Sequence, residues 1–251
     1  MSDLYNSTRE TWKNIWQDAS LKVELEALTY TRAQEILALY TPYLPQDGIV
    51  LEAGCGLAAT VIWLREHGFD VIGLDYAVQA LHKARAYDPT LALQAGDIHH
   101  LPYADASLGA YLSFGVLEHF AHGMGPALQE AARVLRPGGV LVLTIPYPSV
   151  VYRLVQWRRK QRGESRLTND DFYESTYTQH DLRREAQAAG FEVVAVHPTS
   201  HAFTLWGLGG PFRAEGYYRT TPLADGLGRV LKTFLPWPFN FSTLLIGRIP
   251  A

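Results

Sequence analysis

The chain has 251 residues, 47% hydrophobic and 19% charged, a globular composition with enough apolar material for one large domain or one domain with insertions. Its net charge of -3 supplies no global field for nucleic acid. The single cysteine, Cys55, excludes an intrachain disulfide, the first residues MSDLYNSTRE hold no apolar signal core, and no apolar run approaches the ~18 residues of a membrane span, so a cytoplasmic protein is expected.

Residues 1–44 read as helices. Ser7 and Glu10 make a capping box ahead of Trp12, Ile15, Trp16 and Ala19 on one face. Such a helix covers a sheet edge or a ligand; the sharper alternative is a lid that supplies Tyr5 or a tryptophan. A second amphipathic helix is expected from Leu21 to Tyr40, ended by Thr41-Pro42 and the turn at Leu44-Pro45-Gln46-Asp47-Gly48.

The segment Ile49 to Asp75 is the most informative. Ile49-Val50-Leu51 reads as a buried strand, Glu52-Ala53-Gly54-Cys55-Gly56 as a turn, Thr60 to His67 as a helix stopped by Gly68, and Phe69 to Leu74 as a second strand. This is one unit of a parallel sheet. The glycines let backbone approach a ligand closely, and the helix points its positive end at the same place. Asp75, nineteen residues past Gly56 at a strand end, can accept from both hydroxyls of a ribose. The unit therefore reads as a nucleoside-cofactor site. Gly54, Gly56 and Ala59 also fit G-x-G-x-x-A, which would suit a nicotinamide dinucleotide.

Further strands are expected near 91–95, 109–114 and 140–146, and helices near 76–86 and 124–135. This alternation predicts a doubly wound α/β sheet, with the ligand beyond the strand ends where the order reverses. Gly96-Asp97-Ile98 places a second acidic residue after the third strand. Glu118 and His119 follow the fourth strand, where they are expected to open the next helix and face the crevice.

Residues 147–177 and 197–239 are insertions. In the first, Val150, Val151, Leu154, Val155 and Trp157 alternate with Arg153, Arg158, Arg159, Lys160 and Arg162. Such a helix can touch an anionic substrate or a membrane surface; the plainer expectation, which we take, is a solvated face with its apolar stripe on the core. Thr168 to Tyr177 reads as a loop. Thr178-Gln179-His180-Asp181 reads as a helix cap, the helix ends at Gly190, and Phe191 to Val196 is a strand. The second insertion holds His201, Trp206, Tyr217-Tyr218 and an amphipathic helix with Leu223, Leu227, Val230, Leu231 and Phe234 on one side. Phe241 to Ile246 reads as the last strand.

LEAGCG, LDYA, GDIHHLP, SFGVLEHF and RVLRPGGVLVL, in this order over residues 49–146, resemble the class I S-adenosylmethionine-dependent methyltransferases of the type 11 group. The resemblance implies seven strands in the order 3-2-1-4-5-7-6, mostly parallel with the last strand reversed, N-terminal helices, and insertions after strands five and six that form an acceptor lid, all in one domain over 1–251. It implies S-adenosylmethionine as cofactor, held by Glu52, Gly54, Cys55, Gly56, Asp75, Tyr76, Asp97, Ile98 and Phe114. Asp97 would accept from the adenine amino group and the Phe114 carbonyl would take the ammonium. His119, Glu118 and His201 are the candidate catalytic groups, His119 ahead of His201 as base. A small-molecule acceptor is expected, and neither nucleic acid nor a metal: His99-His100 read as loop residues. Two positions depart from the family, Ala58 where a third glycine is usual and Gly109 where an acidic residue is usual; the first is expected to narrow the methionine end of the site. A nicotinamide-dependent oxidoreductase and a non-catalytic S-adenosylmethionine-binding module are the alternatives.

Overall fold

The computed structural model describes residues 3–163 and 174–251. Three helices come first: α1 (Asp3–Asp18), α2 (Leu21–Leu28) and α3 (Thr31–Tyr40). There follow β1 (Val50–Ala53), α4 (Ala59–Glu66), β2 (Val71–Asp75), α5 (Val78–Tyr87), β3 (Leu93–Ala95), β4 (Leu108–Phe114), α6 (Gly125–Val134) and β5 (Leu135–Pro146). The remainder is α7 (Val150–Gln161), α8 (Gln179–Ala188), β6 (Glu192–Thr199), α9 (His201–Trp206), α10 (Pro222–Phe234) and β7 (Ser242–Arg248).

The strands form one seven-stranded sheet in the order β3-β2-β1-β4-β5-β7-β6. The first five are parallel, and β7 runs antiparallel to both β5 and β6. Strands buried on both faces are near-continuous apolar runs; all four residues of β1 are buried, and Glu52 is its one polar exception. Val50, Leu112, Val142 and Ile246 join the core under one helical layer, Leu51, Tyr111, Leu141 and Leu245 the core under the other. The order reverses between β1 and β4, so the glycine turn after β1 and the segment after β4 open one crevice.

Several expectations are corrected. α1 begins at Asp3, so Ser7 lies inside the helix and does not cap it; Leu4-Tyr5-Asn6 contains no glycine or proline to delay the start. The helix expected over Leu21–Tyr40 is two helices. Tyr30 is extended at φ -72 and ψ 148, and the break is held by Thr29 Oγ1 on the Glu26 carbonyl at 2.7 Å and Gln34 Nε2 on the Leu28 carbonyl at 2.7 Å. Glu118 and His119 do not open α6: they end a short 3-10 turn, Leu117–His119, and α6 starts at Gly125 with a proline in its first turn. β5 starts at Leu135, which pairs with Leu108 ahead of a register shift. The Thr178 cap is as expected, with Thr178 Oγ1 accepting from the Asp181 N–H at 3.2 Å. Part of the loop expected at 168–177 falls outside the described residues.

The amphipathic helix of the second insertion turns its large apolar side outward. In α10 the small residues Ala224 and Gly228 are buried, and a Cβ on Gly228 would lie 2.6 Å from the Ala202 amide nitrogen. Leu223, Leu227, Val230 and Phe234 face outward. The stripe of α7 is split likewise: Val151 is buried, while Val150, Leu154 and Trp157 are exposed.

Candidate active site

The glycine turn follows from its backbone. Gly54 (φ 85) and Gly56 (φ 51) adopt left-handed conformations that side chains disfavour. A Cβ on Gly54 would lie 2.5 Å from Val116 Cγ2, and one on Gly56 would run into the indole of Trp16. Ala58 also sits in the left-handed region, at φ 62, as the N-cap of α4. That conformation suits glycine. Ala58 is fully buried in the core and does not line the cavity, so its departure from the family concerns backbone conformation and the expected narrowing is not found. Gly109 is pressed on the entry turn, where a Cβ would lie 2.8 Å from Pro45 Cγ.

Asp75 ends β2. Its Oδ2 accepts the Gly56 N–H and its Oδ1 the Ala77 N–H, each at 2.8 Å. Burial pushes its carboxyl upward, and the amides of Ala77, Gly56 and Tyr76 oppose that shift. Glu52 is buried with no partner for Oε2. Burial raises its carboxyl to about 8, helped by the nearby Asp75 charge and opposed by Thr60 and the Val61 amide. Asp97 Oδ1 accepts from the His99 N–H at 3.0 Å and contacts His99 Nδ1 at 3.0 Å, which fixes the loop after β3. Burial holds the Cys55 thiol well above its ordinary range, so it is a compact wall residue and not a nucleophile.

Glu118 is buried and its Oε2 has no partner; burial raises this carboxyl to about 8. Its backbone carbonyl is held by Ser175, through N–H at 2.9 Å and Oγ at 3.0 Å. The His119 ring, also buried, meets Trp12 edge-on at 5.1 Å. Trp12 in turn stacks on Trp16 at 5.7 Å.

These groups share one cavity of about 480 Å³. Glu52, Gly54, Cys55, Asp75, Tyr76, Asp97, Ile98, Phe114, Glu118 and His119 all line it. Gly56 lies behind Trp16. His201 does not line the cavity: its Nε2 contacts the Pro236 carbonyl at 2.8 Å and ties α9 to the segment after α10. Of the two N-terminal readings, the structure supports a tryptophan over the site; nothing is described of the Tyr5 side chain.

Other wall residues were not anticipated. Glu24, Arg32 and Tyr40 come from α2 and α3, Tyr217 from the second insertion and Phe241 from the position just before β7. The Arg32 guanidinium lies 4.3 Å over the Phe203 ring, and burial lowers its proton affinity against the pull of Tyr217 and Glu24. Glu24 and Arg32 lie on either side of the break between α2 and α3, and the residue types alone carry no signal of that break. The Tyr40 hydroxyl is buried without a partner. The cavity thus collects three unpartnered buried polar atoms, on Tyr40, Glu52 and Glu118. Buried polar groups are rarely left so, and this set of acceptor oxygens fits a ligand that brings hydrogen-bond donors and positive charge. No group of histidine, cysteine and carboxylate residues that could hold a metal occurs among the described residues.

Residues 51–143 match the family described as methyltransferase domain. Malonyl-[acyl-carrier protein] O-methyltransferase of Enterobacter lignolyticus is 35% identical over 192 residues, 75% of this chain and 74% of that protein. A Mycolicibacterium smegmatis protein named "Probable S-adenosylmethionine-dependent methyltransferase" is 37% identical over 97 residues, 39% of this chain and 37% of its own length. The chain therefore spans less than half the length of some relatives and about three quarters of others. The solved S-adenosylmethionine-dependent methyltransferase of Mesorhizobium loti superposes with a TM-score of 0.59 at 17% identity, over 88% of this chain and 98% of that one, a likeness of fold.

Proposed function

The chain belongs to the class I S-adenosylmethionine-dependent methyltransferases, and from that premise we propose that it methylates oxygen, nitrogen or carbon of a small, largely apolar acceptor. One observation carries this reading: the glycine-turn carboxylates and the wall of Trp12, Ile36, Arg32, Tyr217 and Phe241 line a single cavity. The nicotinamide alternative falls with the family assignment. Glu52 would also stand against a pyrophosphate at the turn.

The cofactor supplies a methyl group already activated by the sulfonium charge. In our reading Asp75 accepts from the ribose hydroxyls, Asp97 and the Ile98 amide hold the adenine edge, and Glu52 and the Phe114 carbonyl take the ammonium. What remains for the protein is to align the acceptor, exclude water and, for a hydroxyl or amine, remove a proton. Trp12 and Trp16 exclude water from the turn. Glu118 and His119 stand where a base is needed. The insertion at 197–239 contributes Ser200 and Tyr217 to the wall, which supports its reading as part of an acceptor lid; for the insertion at 147–177 the lid role is our proposal. Among the described residues no helix is long and apolar enough to cross a membrane, and we place the enzyme in the cytoplasm.

The test is release of S-adenosylhomocysteine from purified protein given labelled cofactor and a fractionated metabolite extract. We expect release that depends on one apolar small-molecule fraction. Tight cofactor binding with release only in macromolecular fractions would overturn the small-acceptor reading.

A further inference from the structure

A surface helix ordinarily turns its large apolar residues inward. α10 does the reverse. Leu223, Leu227, Val230 and Phe234 recur at the spacing of one helix face, all exposed, with Phe234 at 75%, and the buried face carries only small residues beside Leu231. α7 repeats this on a shorter scale with Val150, Leu154 and Trp157, the last 58% exposed. One backbone hydrogen bond links the start of α7 to the segment that follows α10. The Val150 N–H donates to the Pro238 carbonyl at 2.9 Å, and exposed Leu235 lies between Phe234 and that contact. Exposed apolar stripes of this kind mark an interaction site.

The charge beside it selects the occupant. Residues 147–163 contain Arg153, Arg158, Arg159, Lys160 and Arg162 and no aspartate or glutamate, in a chain whose net charge is -3. Arg229 is exposed on α10; Lys232 is paired with Glu35 at 2.7 Å and is not counted. Apolar stripes with aromatic residues, flanked by arginine and lysine, are what helices lying in a bilayer interface carry. A two-fold contact between copies through α7 would set like charges against each other.

We propose that α7 and α10 form a peripheral docking face for an anionic lipid bilayer. Leu227, Val230, Phe234 and Trp157 enter the boundary between headgroups and acyl chains, and Arg153, Arg158 and Lys160 of α7 take the phosphates. The inference does not depend on which acceptor is methylated.

The test is flotation of the full chain with vesicles of phosphatidylcholine and phosphatidylglycerol, against vesicles of phosphatidylcholine alone. We expect flotation with the anionic vesicles that weakens as salt is raised. L227S/F234S and W157A should each lower partitioning by about tenfold, and R153E/R158E by at least as much. All these side chains are exposed, so cofactor affinity and melting temperature should stay unchanged and serve as the folding control. No flotation with anionic vesicles at low salt would overturn the proposal, as would equal flotation of folded variants. A dimer in sedimentation equilibrium that F234S dissociates, without vesicle binding, would assign the face to a second copy and overturn it as well.

Discussion

The Gly56 N–H donates to Asp75 Oδ2 at 2.8 Å, which ties the glycine turn of the first βα unit to the end of the neighbouring strand. The same carboxylate would take the ribose hydroxyls. Asp75→Ala therefore removes a ligand acceptor and unlocks the turn. Hydrogen bonds to a charged group contribute roughly 1.5–3 kcal/mol, so S-adenosylmethionine affinity should fall by about ten- to a hundredfold. Isothermal titration checks this, and Asp75→Asn, which keeps one acceptor oxygen, should lose less. Unchanged affinity in the alanine variant would remove Asp75 from the site.

Gly56→Ala tests the contact between the turn and α1. The added methyl would meet the Trp16 indole at a position with φ 51, so the turn or α1 must move. Amide exchange over residues 8–18 should speed up by tenfold or more if α1 opens by about 1.4 kcal/mol more readily. Cofactor affinity should fall in the same variant. Unaltered exchange in α1 would mean that Trp16 yields within its own rotamer space, and would leave α1 a cover with no coupling to the turn.

How far this site can be read without coordinates depends on the distance between its parts. Gly54, Gly56 and Asp75 belong to one βαβ unit, where spacing alone sets geometry. Asp97 and Phe114 follow from the same strand-end rule. Arg32 and Glu24 lie on either side of the break at Thr29-Tyr30, and a single helix over Leu21–Tyr40 fits the periodicity as well. The α7 stripe, expected on the core, is mostly exposed for a related reason: a 3.6-residue period fixes which residues share a face, not whether that face points inward. The place of Glu118 and His119 could have been better judged from Gly125-Pro126, since proline in the first helical turn marks where α6 starts.

Glu52 and Glu118 make the stability of the ligand-free protein depend on pH. Both carboxyls are raised from 4.5 to about 8 by burial. Between those values the folded state holds protons that the unfolded chain has released, so the contribution is full below pH 4.5 and is lost as pH rises through about 8. The melting temperature should fall by several degrees across this window. Glu118→Gln should flatten part of the fall. Equal slopes in wild type and variant, by calorimetry, would show that Glu118 is not held protonated.

The last expectation concerns which of two neighbours takes the acceptor's proton. His119 and Glu118 both line the cavity after β4. Histidine accepts a proton near neutral pH, whereas the Glu118 carboxyl, raised to about 8, becomes a base only at the upper end of that range. The edge contact with Trp12 at 5.1 Å gives His119 a second job, holding α1 over the site, so loss of activity alone cannot assign it. His119→Ala should therefore be compared with Glu118→Gln, with cofactor affinity and turnover measured separately across pH. If His119 is the base, turnover in its variant falls by roughly a hundredfold or more, cofactor affinity holds, and the ionisation near neutrality disappears from the rate profile. That ionisation then persists in Glu118→Gln. The reverse pattern, with the alkaline limb lost only in Glu118→Gln, would assign the proton to the carboxylate. A His119→Ala variant with near-normal turnover and an unchanged profile would leave the imidazole a packing residue beneath Trp12.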